Sequence, residues 1–381
     1  MSKASSSAST KSLTVVLLTI VSMLVLAEVG LRVLNSAGVA SGLFKVLGQA
    51  KPPLDTQELP GMYYAHPYSA YALKPGYERG NIERINALGF RGDEITAKKP
   101  EGVYRVVAIG GSTTFGVYLP WQQSYPYYLQ QVLRERLGTD AVEVINAGMT
   151  GSTTAESLHR LFTQILPIEP DMVVIYHGYN DLFPRVFDNY QEDYYHWRKS
   201  DPNNPPGMTR FYLWRLALRA LNPTSFHENY DLQRYIWKTE NLPESDTERL
   251  VNFDDSSNAA FTRNIDYMIT TLKAKNIQPV LASFAIYPDI WHWNDYFPAY
   301  VWEEGIRQNN VTITALAEQH ELPLVPFAEA VTGARYRNLY NDSIHMTPEG
   351  NMLKANVFAD TLEPIIRAKL APATNATAAG D

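Results

Sequence analysis

The chain has 381 residues, 45% of them hydrophobic and 19% charged, which is the balance of a globular protein long enough for a sizeable core. A formal net charge of −7 argues against nucleic-acid binding, since such proteins usually carry a basic face. No cysteine is present, so disulfide bonds, thiolate metal sites and a cysteine nucleophile are excluded.

The first element along the chain is an apolar stretch that follows a polar, serine-rich N-terminus, residues 1–12. Residues 13–34 carry only two charges, Glu28 and Arg32, which are four residues apart and can pair on one helix face. As a helix this stretch rises roughly 33 Å, enough to cross a bilayer. It predicts a transmembrane signal anchor that makes the protein single-pass and leaves the rest of the chain on the periplasmic or extracytoplasmic side.

Two other interpretations of the apolar stretch remain open. Val25-Leu26-Ala27 has the small-residue character of a signal-peptidase site, which would make the segment a cleaved signal peptide. A buried helix of a soluble domain is the other alternative. Either of the first two interpretations exports the remainder of the chain.

Residues 35–102 are punctuated by Gly and Pro and carry several tyrosines, which predicts a connector that packs on the main domain. Within it, Asn86-Ala-Leu-Gly-Phe-Arg91-Gly predicts a turn with a short extended piece. At the other end of the chain, residues 371–381 are rich in Ala, Thr and Asn and predict a disordered tail.

Between these ends, residues 103–370 alternate between strand and helix patterns, which favours an α/β sandwich with a mostly parallel five-stranded sheet. The predicted strands are residues 104–109, 142–145, 172–176, 279–284 and 324–326. The predicted helices are residues 124–137, 154–166, 259–275, 301–320 and 347–368, with Ser124 and Thr347 as N-caps.

An aromatic-rich insertion, residues 182–258, breaks this alternation and is too long for a plain loop. It contains a short amphipathic helix at residues 211–221, and a second aromatic cluster follows at residues 287–297. Both follow strand ends, where α/β sheets bind ligands, so we predict that they cover a substrate. The alternative is that these aromatic residues pack against each other, against the connector or in an oligomer interface.

Four polar motifs lie just beyond predicted strands, and the carboxyl ends of parallel strands share one edge of a sheet. They are Gly110-Gly111-Ser112, Asn146-Ala-Gly148, His177-Gly-Tyr-Asn180-Asp181 and Asn341-Asp342-Ser-Ile-His345. A turn as sharp as Gly-Gly-Ser often needs φ > 0 or a backbone with no Cβ in the way. We therefore expect the four motifs to converge on a serine at the rim of the sheet.

Each motif supplies one part of a nucleophilic site. Ser112 needs an adjacent base, His345 can take and return the proton, and Asp342 can fix the imidazole tautomer from the same short turn. The backbone N–H groups of Ser112 and Gly148 and the side-chain amide of Asn180 can hold a developing oxyanion. His177 and Asp181 are interpreted as packed, hydrogen-bonded residues. No metal-ligand spacing, phosphate loop or dinucleotide fingerprint is present, so no metal and no cofactor is predicted.

The four blocks, in this order and spacing, resemble the SGNH hydrolase superfamily, also called GDSL-type esterases. The blocks are Gly-Gly-Ser112-Thr-Thr-Phe-Gly, Asn-Ala-Gly148, Gly-Tyr-Asn180-Asp and Asp342-Ser-Ile-His345. The apolar N-terminus and the Asn86–Gly92 motif are similar to those of membrane-attached bacterial members. The resemblance implies a flavodoxin-like three-layer α/β/α fold and ester hydrolysis through an acyl-serine. One position departs from the pattern: Gly111 stands where these enzymes usually have an acidic residue.

The resulting hypothesis is a serine esterase that removes a short acyl group, such as O-acetyl, from a small-molecule or carbohydrate ester outside the cytoplasm. An O-acyltransferase of the same fold acting on a polysaccharide uses the same residues and is the main alternative. A non-catalytic anchored binding protein is the third. The sequence leaves the oligomeric state open.

Overall fold

The structure is a computed structural model, and it describes residues 4–36, 61–66, 69–198, 213, 237–238, 241–287 and 298–370. The chain divides into two compact units. One unit comprises Met1–Pro67 and Asp201–Tyr235, and the other comprises Tyr68–Ser200 and Ile236–Asp381.

The first unit contains helix α1 (Ala4–Ser36) and strand β1 (Tyr63–His66). Within α1, Thr14–Leu34 is long and apolar enough to span a membrane or to serve as a signal sequence, and only 6% of its most apolar window is buried. The predicted pair forms, with Arg32 Nε 2.9 Å from a Glu28 carboxylate oxygen. The other oxygen of Glu28 accepts the backbone N–H of Leu213 at 2.9 Å.

The second unit begins with three short strands and then forms the main sheet. The short strands are β2 (Ala70–Leu73), β3 (Glu78–Arg79) and β4 (Glu83–Arg84), of which β3 and β4 pair antiparallel. The main-sheet strands are β5 (Tyr104–Gly110), β6 (Val142–Gly148), β7 (Met172–Tyr176), β8 (Gln278–Ala282) and β9 (Leu324–Val325). All neighbours are parallel, in the order β6-β5-β7-β8-β9.

Helices cover both faces of this sheet. The helices of this unit are α2 (Ser112–Phe115), α3 (Tyr125–Leu137), α4 (Thr154–Arg160), α5 (Phe183–Val186), α6 (Asp246–Asp255), α7 (Ala259–Ala274), α8 (Ala299–Gln319), α9 (Phe327–Ala330) and α10 (Pro348–Leu370). Helices α3 and α10 pack together on one face, while α4, α7 and α8 cover the other. Strands β5 and β7 are buried along their whole length, as expected for a parallel sheet covered on both sides. The three-layer α/β/α sandwich predicted from the sequence is confirmed.

The element boundaries differ from the sequence predictions in a few places. The second strand continues to Gly148, three residues further than expected. The predicted helix at 154–166 is α-helical only to Arg160 and continues as a π-helical turn, Leu161–Ile165. Thr347 caps α10 by accepting the Gly350 N–H at 3.2 Å. Ser124 precedes α3, but its hydroxyl donates to the Trp121 carbonyl instead of capping the helix.

Part of the predicted aromatic cover lies outside the described residues, together with the predicted tail at 371–381. Of the predicted helix at 211–221 only Leu213 is described, and of the second aromatic cluster only Tyr287. In the described part of the insertion, Trp197 and Trp237 are almost fully buried, with ring centroids 5.2 Å apart. These two tryptophans pack against each other inside the protein, as the alternative interpretation predicts, and do not cover a substrate.

Candidate active site

Ser112 stands where β5 ends and α2 begins, at the carboxyl edge of the sheet. The two glycines before it are required by close approach. A Cβ on Gly110 would lie 2.2 Å from Thr114 Oγ1, and a Cβ on Gly111 would lie 2.4 Å from Asn180 Nδ2. Gly111 has φ of −86°, an ordinary conformation, so the backbone angle there does not call for glycine. The absence of a side chain at 111 lets the Asn180 amide reach the backbone beside the serine.

The loop before α10 brings His345 and Asp342 to this serine. His345 Nε2 lies 2.7 Å from Ser112 Oγ, and His345 Nδ1 lies 2.6 Å from Asp342 Oδ2. Because a carboxylate can only accept, the imidazole carries its proton on Nδ1, which leaves Nε2 to accept the Ser112 hydroxyl proton. Ser112 lies 233 positions from His345 in the chain, yet it forms one hydrogen-bonded series with the Asp342–His345 turn.

Asp342 is held in place by its own turn. Its Oδ1 accepts the backbone N–H groups of Ile344 at 2.9 Å and His345 at 2.8 Å, and the residue is 2% exposed. Burial alone would raise the pKa of Asp342, but the hydrogen bond and charge of His345 and the two backbone N–H groups outweigh it and lower that pKa. The carboxylate is therefore charged and fixed in orientation before any substrate binds.

Two of the oxyanion donors predicted from the sequence, Asn180 and Gly148, differ in the acceptors that they already have within the protein. Asn180 Nδ2 donates one hydrogen to the Ser152 carbonyl at 2.7 Å, which orients the amide beside Gly111. The backbone N–H of Gly148 donates to Asn146 Oδ1 at 3.0 Å, so it is engaged inside the protein. A Cβ on Gly148 would lie 2.2 Å from the Phe115 backbone nitrogen, so this glycine is needed for close packing against α2. Its oxyanion role stays a prediction.

Asn180 rests on a loop that is itself held by buried groups. Both oxygens of Asp181 accept the Thr154 N–H at 3.1 Å, and Arg198 donates to the Gly151 carbonyl at 3.0 Å. Burial raises the pKa of Asp181 to about 7, against the hydrogen bonds from Thr154 and Tyr194, which lower it. Arg198 comes from the insertion, so the described part of the insertion supports the loop that orients Asn180. Sequence reasoning missed this function of Arg198, and no local pattern signals it.

His177 lies next to the site but does not join the series. It is 2% exposed, and its Nε2 lies 2.8 Å from Ser157 Oγ. Burial lowers the pKa of His177 to about 4, so the imidazole is neutral at pH 7. This is the packed histidine that the sequence favours.

A small cavity of about 10 Å³ opens beside Ser112. Its walls include Tyr176, Tyr179, Phe284 and Ile344, together with the polar groups of Ser112 and Asn180. A space of that size holds about one water molecule or methyl group. Within the described ranges, no group of three or more His, Asp or Glu side chains is placed to hold a metal ion.

The parallel sandwich, with a Ser–His–Asp hydrogen-bonded series at the carboxyl edge of its sheet, is an arrangement that fits a hydrolase of α/β architecture. Residues 108–353, more than half of the chain, match the GDSL-like lipase/acylhydrolase family. The chain belongs to that family. No curated protein matches it.

Solved structures similar to this chain share little sequence with it. An acetyl xylan esterase is 19% identical over 67% of this chain and 98% of its own, with a TM-score of 0.40. A GDSL-like lipase from Bacteroides thetaiotaomicron is 17% identical over 71% and 92%, with a TM-score of 0.41. A lipase/acylhydrolase from Enterococcus faecalis is 18% identical over 72% and 100%, with a TM-score of 0.42.

Proposed function

We propose that the protein is a serine esterase that cleaves a short-chain acyl ester, such as an O-acetyl ester, through an acyl-serine intermediate. The observation that carries the proposal is the continuous series from Asp342 through His345 to Ser112, with contacts of 2.6 and 2.7 Å. This geometry prepares a nucleophile, a base and an orienting carboxylate in one place.

In the proposed reaction, Ser112 Oγ attacks the ester carbonyl carbon while its proton passes to His345 Nε2. The carbonyl oxygen becomes an oxyanion, held by the backbone N–H of Ser112 and the free hydrogen of Asn180 Nδ2. His345 then protonates the departing alkoxide, which leaves the acyl group on Ser112. Water, deprotonated by His345, attacks the acyl-serine, and His345 returns that proton to Ser112 Oγ as the carboxylic acid leaves.

The third oxyanion donor is a backbone N–H from the end of β6 or from the loop after it. Gly148 is the donor predicted from the sequence, but its N–H already has an acceptor in Asn146. Gly151, three residues on and with φ of +74°, offers a backbone N–H that has no acceptor within the described part of the chain. We therefore keep Gly148, at the end of β6, and Gly151, in the loop after it, as the two candidates for the third donor.

The small cavity beside Ser112 supports the short acyl group. A cavity of about 10 Å³ accommodates the methyl of an acetyl group, and Phe284 and Ile344 in its walls restrict the room for a longer chain. The alcohol part of the substrate lies outside this cavity, where a sugar hydroxyl or another small alcohol can be presented. A carbohydrate ester is the substrate class that we propose.

Helix α1 is proposed to be an uncleaved anchor, with the hydrolase unit on the extracytoplasmic side. The support is the 21-residue apolar segment, whose surface is almost entirely exposed in the structure. Mass spectrometry of the protein recovered from membranes tests this, since cleavage after Ala27 would remove the first 27 residues. Protease accessibility in intact cells and in inverted vesicles tests the side.

The function is tested on the full chain in detergent with nitrophenyl esters of two to eight carbons and an acetylated oligosaccharide. We expect the acetate ester to be cleaved fastest, a fluorophosphonate probe to label Ser112, and Ser112→Ala to abolish both. Full activity of Ser112→Ala would overturn the proposal. Transfer of the acetyl group to a sugar hydroxyl in preference to water would reassign the protein as an acyltransferase. The absence of both labelling and turnover would favour a binding protein.

A further inference from the structure

We propose that Arg91, in the connector motif Asn86–Gly92, is a positioning residue that holds the nucleophile turn and the loop behind it in their active geometry. The inference rests on the proposed esterase function for its kinetic consequence. Its structural basis is independent of that function. The motif precedes the first of the four proposed catalytic blocks in the chain. The residue types in those blocks do not by themselves predict a role for Arg91.

The Arg91 guanidinium donates hydrogen bonds to four backbone carbonyls. The side chain is buried, at 4% exposure, and its Nη1 donates to the carbonyls of Phe115 and, at 2.7 Å, Gly116. Its Nη2 donates to the Leu119 carbonyl at 2.6 Å and the Ile82 carbonyl at 3.3 Å. The guanidinium of arginine has five N–H donors spread over three nitrogens, whereas the ammonium of lysine has three donors on one nitrogen, so arginine can reach carbonyls that are further apart.

These carbonyls belong to the turn that carries the nucleophile. Helix α2 has only four residues and begins at Ser112, so its last carbonyls have no helical donors. Arg91 satisfies the carbonyl of Phe115, and Asn146 Nδ2 donates to the same oxygen at 3.1 Å. The guanidinium also lies 4.1 Å from the centroid of the Phe115 ring. Loss of Arg91 would remove a donor from the carbonyls of Phe115, Gly116 and Leu119, and in the described part of the chain it would leave the buried Leu119 carbonyl with no donor.

The same loop reaches the catalytic histidine. Gly116 and Tyr118 both have positive φ, +83° and +69°, and for tyrosine this is an unfavourable conformation that its surroundings must hold. The Tyr118 ring stands edge-on to His345, with centroids 5.5 Å apart. Arg91 binds carbonyls on both sides of Tyr118, at Gly116 and Leu119, so it fixes the segment that contacts both Ser112 and His345.

The rest of the motif serves to place Arg91. Asn86 Oδ1 accepts the backbone N–H groups of Leu88 and Phe90 at 3.0 Å, which closes the turn. Phe90 is 1% exposed in the hydrophobic core, and the Arg91 N–H donates to the Asn146 carbonyl on edge strand β6 at 3.1 Å. The turn is thus fastened to the core and to the sheet, and the guanidinium projects from a fixed backbone.

The test compares Arg91→Ala and Arg91→Lys with Arg134→Ala in the full chain. Arg134 is the matched control, because its Nε donates to the Val142 carbonyl at the other end of edge strand β6. For Arg91→Ala we expect kcat per folded molecule to fall about 100-fold while KM changes less than about twofold, because misplacement of a reacting group acts on the chemical step. Guanidinium ion at non-denaturing concentration should restore about a tenth or more of the lost kcat in Arg91→Ala, and have no effect on Arg134→Ala.

Hydrogen exchange supplies a readout that does not depend on activity. The amides of residues 116–119 should lose protection in both Arg91 variants and keep it in Arg134→Ala. If the wild-type chain hydrolyses no ester, the esterase proposal fails while the exchange result still decides the role of Arg91. Unchanged exchange at 116–119, or wild-type kcat per folded molecule in an Arg91 variant, would overturn the inference. If Arg91→Ala does not fold, Arg91→Lys carries the same comparison.

Discussion

Replacing Gly111 by alanine should leave the fold nearly intact and remove most of the activity. The added Cβ would lie 2.4 Å from Asn180 Nδ2, whereas ordinary contacts begin near 3.4 Å. Asn180 must therefore retreat by about 1 Å, because a Cβ imposes that separation on any neighbouring atom. The φ of −86° at Gly111 suits alanine, so the backbone itself is not strained.

The magnitude follows from what the retreating amide does. Its movement breaks the 2.7 Å hydrogen bond to the Ser152 carbonyl and takes the second hydrogen away from the proposed oxyanion position. The loss of one oxyanion donor reduces kcat by about 10² to 10³, equivalent to about 3 to 4 kcal/mol. The cost in folding is about 1 to 3 kcal/mol, because the buried Ser152 carbonyl loses its donor while the displaced amide is the end of a side chain and can move.

The assay is a double-mutant cycle with Gly111→Ala, Asn180→Ala and the double variant, using an acetate ester and thermal unfolding. If alanine at 111 acts through Asn180, it adds little in the Asn180→Ala background, so the two effects on kcat are strongly non-additive. Additive losses, or wild-type kcat in Gly111→Ala, would refute the reasoning.

The other predictions concern the orienting acid, the acyl cavity, the close-packed glycine and the buried histidine. Asp342→Asn should reduce kcat by about 10⁴, because the imidazole loses the acceptor that fixes its tautomer. The melting temperature of the variant serves as the control for folding. Phe284→Leu should raise the ratio of butyrate to acetate hydrolysis, since Phe284 lines the 10 Å³ cavity; an unchanged ratio would place the acyl group elsewhere. Gly148→Ala should destabilise the fold by about 3 kcal/mol or more in denaturant titrations, because its Cβ would meet Phe115 backbone at 2.2 Å. The pKa of His177 is lowered to about 4, so the unfolded chain gains a proton at higher pH than the folded one, and stability falls as the pH drops from about 6.5 to 4. The difference in unfolding free energy between wild type and His177→Gln should change by about 3 kcal/mol over that window, and a flat difference would contradict the assigned cause.

Features that depend on residues close together in the chain can be predicted from the sequence, whereas features that depend on tertiary packing cannot. The runs at β5 and β7 are apolar apart from Arg105, which predicts buried parallel strands, and both strands are found. The amino-acid sequence is enough to place the four motifs together, because parallel strands end at one edge. Ser112, Asn180, Asp342 and His345 are therefore predicted to be neighbours, and in the structure they lie together at the carboxyl edge of the sheet.

By itself, the sequence determined the apolar N-terminal helix, the alternation of strands and helices, and the residue types present in the four motifs, because each of these features depends on residues that are neighbours in the chain. Only the tertiary structure decided the strand order β6-β5-β7-β8-β9, the approach of Asn180 to Gly111, and the reach of Arg91 to the carbonyls behind Ser112. These contacts join residues that lie 24 or more positions apart, and whether such groups meet depends on how helices and loops pack over the sheet. Local patterns specify the elements, whereas the direction of a buried side chain is set by the neighbours that close around it.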